Sequence, residues 1–322
     1  MGLGSIGRRH LRLVKELRPE LNIIAMRSGK GQNFEEGNLL NGSVYSLEEA
    51  INYGIEAAII ATPAVNHIQQ GIELMKRGIH LLIEKPLSHS LENINELLKI
   101  SNKSKSVGLL GYCLRHNPGA LKFKGKLDDK EIGQILHVRV DCGSYLPDWR
   151  EGIDYRQSVT AKSELGGGVL LELSHEFDYI RWFFGEMKSV FANIKDSGSL
   201  DIDVEDSVDI IFDAEQGYSI SVHLDFNTHN NRRECTARCS NGDLTWDAID
   251  NKLIWKPADG VEEVEAYQND SNYVYKEQLK HFFNCIESGN KPSVSIHDGV
   301  AVLEMIDSIK ESHKIGAKVL LA

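Results

Sequence analysis

The sequence has no excess of basic residues: 36 lysines and arginines stand against 47 acids, a formal charge of −11. That balance excludes a broad surface for nucleic acid, so a phosphate-bearing ligand must be met by a local basic site. There is no Cys-x-x-Cys pair among the five cysteines, at 113, 142, 235, 239 and 285, which excludes a disulfide framework and the usual zinc spacings and points to a reduced cytoplasm. Cys235 and Cys239 lie four apart in a strand-like stretch and read as packing, so no metal is expected. No apolar run nears the roughly 20 residues that cross a bilayer, and the chain opens on glycines rather than on a charged and then apolar leader. We expect no membrane partner and no export. Repeats and low-complexity segments are absent as well. What remains is 322 residues, 41% of them apolar, enough to fill two ordinary cores.

Short apolar runs at 22–26, 57–61, 80–84 and 106–112 alternate with helical patterns, which predicts a parallel sheet covered on both faces. Between the second and third runs, Asn66 can cap a helix whose Ile68, Ile72 and Met75 share a face, with Gly78 placed to end it. After Pro118 the rhythm changes. A long helix is expected over 165–184, followed by strand candidates at 207–212, 218–226 and 233–240, with turn chemistry at Gly217 and at Asn241-Gly242-Asp243. Val302, Ile306 and Ile309 then share a helix face, and a last apolar run covers 318–321. We place the boundary at 117/118, giving a domain over 1–117 and one over 118–322, with the C-terminal helix free to pack back on the first.

Gly2-Leu3-Gly4-Ser5-Ile6-Gly7 fits the dinucleotide fingerprint, in which glycines allow a tight turn, close approach of backbone N–H groups to pyrophosphate, and close helix packing. Such a pattern alone also describes an ordinary glycine-rich turn. The fingerprint normally follows a strand, and only Met1 precedes it here. We therefore expect a chain that lacks its central strand, exposes edges that should be paired and binds dinucleotide weakly. After the second strand, where an acid would accept from ribose hydroxyls, stand Arg27 and Ser28. An arginine there pairs with a 2′-phosphate, which favours NADP(H) over NAD(H); the alternative is a solvated side chain.

Three further stretches carry a resemblance. They are Ile60-Ala61-Thr62-Pro63 with Asn66-His67, then Gly78 to Leu87 with Glu84-Lys85-Pro86, and Gly166-Gly167-Gly168 running on to Glu172, His175 and Asp178. With Arg115 to Pro118, they resemble the glucose-fructose oxidoreductase, inositol dehydrogenase and MocA superfamily along nearly the whole chain. The resemblance implies an N-terminal Rossmann-like NAD(P)-binding domain and a C-terminal α/β domain with an open, mostly antiparallel sheet. It implies a substrate pocket on one face of that sheet and an oligomer contact, dimer or tetramer, on the other. It further implies hydride transfer at a carbohydrate carbon, with Thr62, Pro63, Glu84 and Lys85 beside the cofactor.

Oxidising an alcohol needs a group that takes the hydroxyl proton while hydride leaves. Lys85 closes a parallel strand at its carboxyl end, where open α/β sheets bind ligands. Glu172, His175 and Asp178, three apart, form a polar row beside the apolar face of Leu170, Leu173, Phe177, Ile180 and Phe184. We assign His175 the acid/base role and Lys85 the polarisation of the substrate oxygen; which of them holds the proton stays open. Asp178 would orient substrate or imidazole. Glu172 stands one residue nearer the histidine than the acid of many relatives. Trp149, Arg150, Tyr155 and Arg156 mix aromatics with arginines, which suits a nucleotide-linked or acidic sugar; packing explains the aromatics equally. Arg115 reads as a substrate or phosphate contact, or as a salt bridge, and His67 and His116 as structural. The rival from another class is a non-catalytic dinucleotide-binding redox sensor or assembly protein.

Overall fold

In the computed structural model, which describes residues 1–29, 34–268 and 270–321, the chain divides into two compact units. The first is Met1–Cys113 with Ser271–Leu303, and the second is Leu114–Asp270 with the segment from Glu304 onward. The first unit thus draws on two stretches; the sequence reading placed one cut after residue 117 and left the C-terminal helix free to pack back on the first domain.

In the first unit α1 (Ser5–Leu17) leads to β1 (Ile24–Met26), which pairs in parallel with β2 (Gly42–Val44). After α2 (Leu47–Asn52), the strands β3 (Ala57–Ile60), β4 (His80–Ile83) and β5 (Gly108–Leu110) form a three-stranded parallel sheet, with α3 (His67–Met75) and α4 (Ile94–Lys103) as crossovers. Leu81, Leu82 and Ile83 are all 0% exposed, as continuous apolar runs are in a sheet covered on both faces. Asn66 does precede α3, but its side chain makes no capping bond. Its backbone is already helical (φ −101°, ψ −13°), whereas a side-chain cap needs an extended residue.

The second unit opens with α5 (Pro118–Leu127), capped by Asn117, whose side chain accepts from the Ala120 N–H. β6 (Ile135–Gly143) follows, and then α6 (Val169–Glu172) and α7 (His175–Phe184). The single helix expected over 165–184 is therefore broken. Gly166 and Gly168 hold positive φ, which delays the start of α6, and Leu173 leaves helical geometry at φ −95°, ψ 28°, which ends it. Strands β7 (Met187–Lys195), β8 (Ser207–Ala214), β9 (Ser219–Asp225), β10 (Arg232–Cys239), β11 (Gly242–Asp247), β12 (Lys252–Pro257) and β13 (Glu263–Ala266) come next. The chain re-enters the first unit with α8 (Tyr273–Ser288), and α9 (Ile296–Ile315) and β14 (Val319–Leu320) end it.

The nine strands run in the order β13-β12-β11-β10-β6-β9-β8-β7-β14, antiparallel throughout except for the β6–β9 pair. Burial alternates along them: Val208, Ile210 and Phe212 are buried while Asp209 and Ile211 are exposed, the signature of a sheet with one face packed and one open. Cys235 and Cys239 both lie in the packed layer.

On the open face His223 sits 2.7 Å from Asp209 and 3.4 Å from Asp225, with Asp141 opposite it in the register. The bond to Asp225, and after it Asp209, raises the imidazole from its usual 6.5 to about 9. A cation stabilised by folding contributes fully below pH ~6.5, and that contribution fades as pH rises through the folded value. We expect the thermal midpoint to fall between pH 7 and 10 by more in the native chain than in His223→Gln; parallel curves from scanning calorimetry would count against the assignment.

Candidate active site

The glycine turn is held where β1 and β3 end. The Gly2 N–H donates to the Met26 carbonyl at 3.2 Å, and the Ala61 N–H donates to the Met1 carbonyl at 2.9 Å. Gly2 has φ +80°, and a Cβ on it would lie 2.6 Å from the Ala61 oxygen; one on Gly7 would lie 2.0 Å from the Gly2 oxygen. The protein's own packing therefore demands both glycines. Gly4 differs, because nothing stands within 4 Å of the position its Cβ would take. It is the N-cap of α1, which has no side-chain cap and no acid in its first turn, so the N–H groups of that turn remain for an external anion. Open space at Gly4, exposed Ser5 and half-buried Ile6 fit a dinucleotide pyrophosphate.

Half-buried Arg27 follows β1, with its backbone N–H bonded to the Val44 carbonyl, and Ser28 is next to it. Thr62 donates its hydroxyl to Gln70 Oε1 at 2.8 Å, and Pro63 starts the turn into α3. Glu84 continues β4 by donating its N–H to the Ile60 carbonyl. Its side chain is buried, with Oε1 2.5 Å from His10 Nε2 and Oε2 accepting from the Lys85 N–H at 3.3 Å. Lys85 is half-buried and joined to Pro86 by a cis bond.

Two histidines that the sequence left out of the site hold these loops. His10 projects from the buried stripe of α1 that includes Gly7, Leu11 and Val14, and a polar residue in such a stripe was the signal available to find it. His67 places Nδ1 2.9 Å from the Pro86 carbonyl and Nε2 2.7 Å from the Thr62 carbonyl, bracing the Thr62-Pro63 loop against Lys85-Pro86. Burial pushes its pKa down, with the two carbonyls opposing. A neutral ring donates to one carbonyl at a time.

In the second unit His175 is half-buried and opens α7. Asp178, one turn on, is buried and accepts a fork from Arg115, Nε to Oδ2 at 3.0 Å and Nη2 to Oδ1 at 2.7 Å. Of the readings open for Arg115, the salt bridge is what the geometry contains. Glu172 Oε1 accepts from the buried Thr160 hydroxyl at 2.9 Å. Trp149 donates Nε1 to the Ser144 hydroxyl at 2.8 Å and packs its edge on Phe226, and the Tyr155 hydroxyl donates to the Leu200 carbonyl at 2.8 Å. Trp149 is thus engaged in packing, and Tyr155 in a bond to the backbone. Arg156 forks onto Asp154, and Arg150 is exposed. Sequence reasoning missed Glu176, which is 0% exposed and accepts from Arg233 Nε at 2.8 Å.

Two domain models match the chain in succession. That of the oxidoreductase family with an NAD-binding Rossmann fold matches residues 1–112, and that of the GFO/IDH/MocA C-terminal domain matches 120–245. The chain belongs to the Gfo/Idh/MocA oxidoreductase family. Among its curated relatives, the 1,5-anhydro-D-fructose reductase of Ensifer adhaerens is 24% identical over 288 residues, 87% of this chain and 84% of that protein. D-xylose 1-dehydrogenase (NADP(+)) 2 of Haloferax volcanii is 24% identical over 281 residues, 83% of this chain and 81% of that one. Among solved structures, a levoglucosan dehydrogenase in complex with NADH matches with a TM-score of 0.89 at 20% identity, covering 100% of this chain and 97% of the other. The last likeness speaks for the shared fold. Family membership makes the chain an NAD-binding oxidoreductase, and among the described residues no helix is long and apolar enough to cross a membrane.

Proposed function

We propose that this family member moves a hydride between a nicotinamide dinucleotide and the hydroxyl or keto carbon of a sugar or nucleotide sugar. The reading rests chiefly on Lys85, half-buried one residue beyond the Glu84–His10 pair at the carboxyl end of β4, beside a glycine turn with open space at Gly4. The dinucleotide would be held by Gly2, Gly4, Ser5, Ile6 and Gly7 through the pyrophosphate, by Arg27 and Ser28 at the adenosine ribose, and by Thr62, Pro63 and Glu84 nearer the ring. Its nicotinamide supplies the hydride chemistry. To His175 we assign the hydroxyl proton, taken in oxidation and returned in reduction, and to Lys85 the polarisation of a substrate oxygen. Asp178 and Glu172 position neighbours rather than react, since Arg115 and Thr160 already hold their carboxylates. Arg150, exposed, and Arg156, 51% exposed, are the cations offered to an acidic or nucleotide-linked sugar.

Arg27 makes NADP(H) the preferred cofactor. Arg27→Ala is expected to weaken NADPH at least tenfold, about 1.4 kcal/mol, and to leave NADH nearly unchanged; equal losses measured by fluorescence titration would remove the preference. Five buried free cysteines suit the cytoplasm. The open sheet face, where Phe191 and Ile211 pair side by side at 41% and 49% exposure, is our assignment for a homodimer or homotetramer contact. The test of the activity is a panel of sugars, inositols and nucleotide sugars with each oxidised cofactor, followed by nicotinamide absorbance. Turnover with one class names the substrate, and none with any class overturns the reading.

A further inference from the structure

The sequence offered Trp149 and Tyr155 as aromatic surfaces for a sugar, and the fold engages both elsewhere. A different pair stands close by. Half-buried Tyr145 sets its ring centroid 4.1 Å from that of exposed His229, with 39° between the two planes.

The backbone beneath these rings is pinned. β6 and β9 continue past their ends as neighbours, the Ser144 N–H donating to the Asp225 carbonyl at 3.3 Å and the Leu146 N–H to the Phe226 carbonyl at 2.9 Å. Asp225, 3% exposed, accepts from the Asn227 N–H at 2.6 Å and from the Thr228 hydroxyl at 2.7 Å, which fixes the turn that leads to His229. A Cβ on Gly143 would lie 2.2 Å from Asp225 Oδ2, so the glycine leaves room for that carboxylate. Rings held in this way have little freedom left to lose when a ligand settles on them.

The pair also lies toward the His175 end of the sheet. Glu176, next in the chain, accepts from Arg233 Nε at 2.8 Å, and Arg233 stands opposite Cys142 in the β6–β10 register. From Cys142, Tyr145 is only three residues on, roughly 10 Å of extended chain. His229 precedes Arg233 on the same stretch of backbone that enters β10.

We infer that Tyr145 and His229 form the stacking surface for the sugar ring that is oxidised or reduced, an inference that rests on the activity proposed above. A sugar ring lays a face of C–H bonds on an aromatic plane and keeps its hydroxyls, at the rim, for polar partners. A surface of this kind holds ground state and transition state alike, so it sets KM and leaves kcat to the groups that move the proton.

The experiment compares the native chain with Tyr145→Ala, Tyr145→Phe and His229→Ala by two readouts, steady-state kinetics and saturation-transfer NMR with the sugars of the panel. For the sugar that turns over, KM is expected to rise about tenfold in Tyr145→Ala and about threefold in His229→Ala with kcat within about twofold, and Tyr145→Phe, which keeps the ring, to recover the native KM. Saturation of the ring C–H protons is expected to fade in the same order. A native KM in Tyr145→Ala, or equal losses in Tyr145→Ala and Tyr145→Phe, would overturn the stacking surface while the activity stands. If Tyr145→Ala unfolds, exposed His229 decides: a native KM in His229→Ala overturns the surface. A panel without turnover overturns the activity instead, and NMR then judges the surface alone. Transfer that fades in the two alanine variants upholds it, and transfer unchanged by them, or absent from the native chain, overturns it.

Discussion

Replacing His175 with alanine is expected to cut turnover by about 10²- to 10⁴-fold while dinucleotide affinity stays within experimental error. The imidazole is half-buried at the first turn of α7. The loss should therefore appear in kcat and in kcat/KM together, because the proton is transferred only in the transition state. Lys85→Ala is expected to fall by a comparable factor, with some loss of cofactor affinity as well, since Lys85 adjoins the loop braced by His67 and Glu84. Unchanged turnover in His175→Ala, with cofactor bound normally, would take the residue out of the chemistry.

The second large effect separates two glycines three positions apart. Gly7→Ala drives a Cβ to within 2.0 Å of the Gly2 oxygen, a backbone atom that cannot step aside, so the turn must open. The expected cost is about 1–3 kcal/mol of stability together with loss of dinucleotide binding. Gly4→Ala meets nothing within 4 Å, and its extended backbone at φ −67°, ψ −173° suits alanine. Its fold is expected to survive with a thermal midpoint close to that of the native chain, while dinucleotide affinity falls at least tenfold, about 1.4 kcal/mol. Unfolding curves beside fluorescence titrations with the reduced dinucleotide check both. A Gly4→Ala protein that binds as tightly as the native chain would place the pyrophosphate elsewhere.

What was legible in the sequence is what local pattern determines. The apolar runs around Ile24, Ala57, His80 and Gly108 became β1, β3, β4 and β5 because a strand buried on both faces has to be apolar throughout. β2 escaped notice because Gly42-Ser43-Val44 carries no such run. The return of α8 to the first unit was invisible for a different reason: its Leu279 and Phe282 pack on Leu13, Leu82 and Leu109, and nothing in sixteen residues of helix says which distant core they serve. The parallel β6–β9 pair inside an antiparallel sheet is equally non-local. At the site, the fingerprint glycines and Glu84-Lys85-Pro86 were readable as motifs. The His10–Glu84 contact joins residues 74 positions apart and needs the folded chain to appear. The late start of α6 lay in plain view as three glycines, whereas the break at Leu173 was concealed by the apolar spacing of Leu170, Leu173 and Phe177, which continues a helical period across it.

The most direct test of the account is isotope transfer. The protein is incubated with a reduced nicotinamide cofactor deuterated at the transferable ring position and with keto-sugars drawn from the active class of the panel, and the recovered alcohol is weighed by mass spectrometry. The account predicts deuterium on the new carbinol carbon from the native chain, with the label lost in proportion to turnover when Lys85 or His175 is replaced. Alcohol formed without label, or labelled equally by the native chain and both replacements, would contradict it.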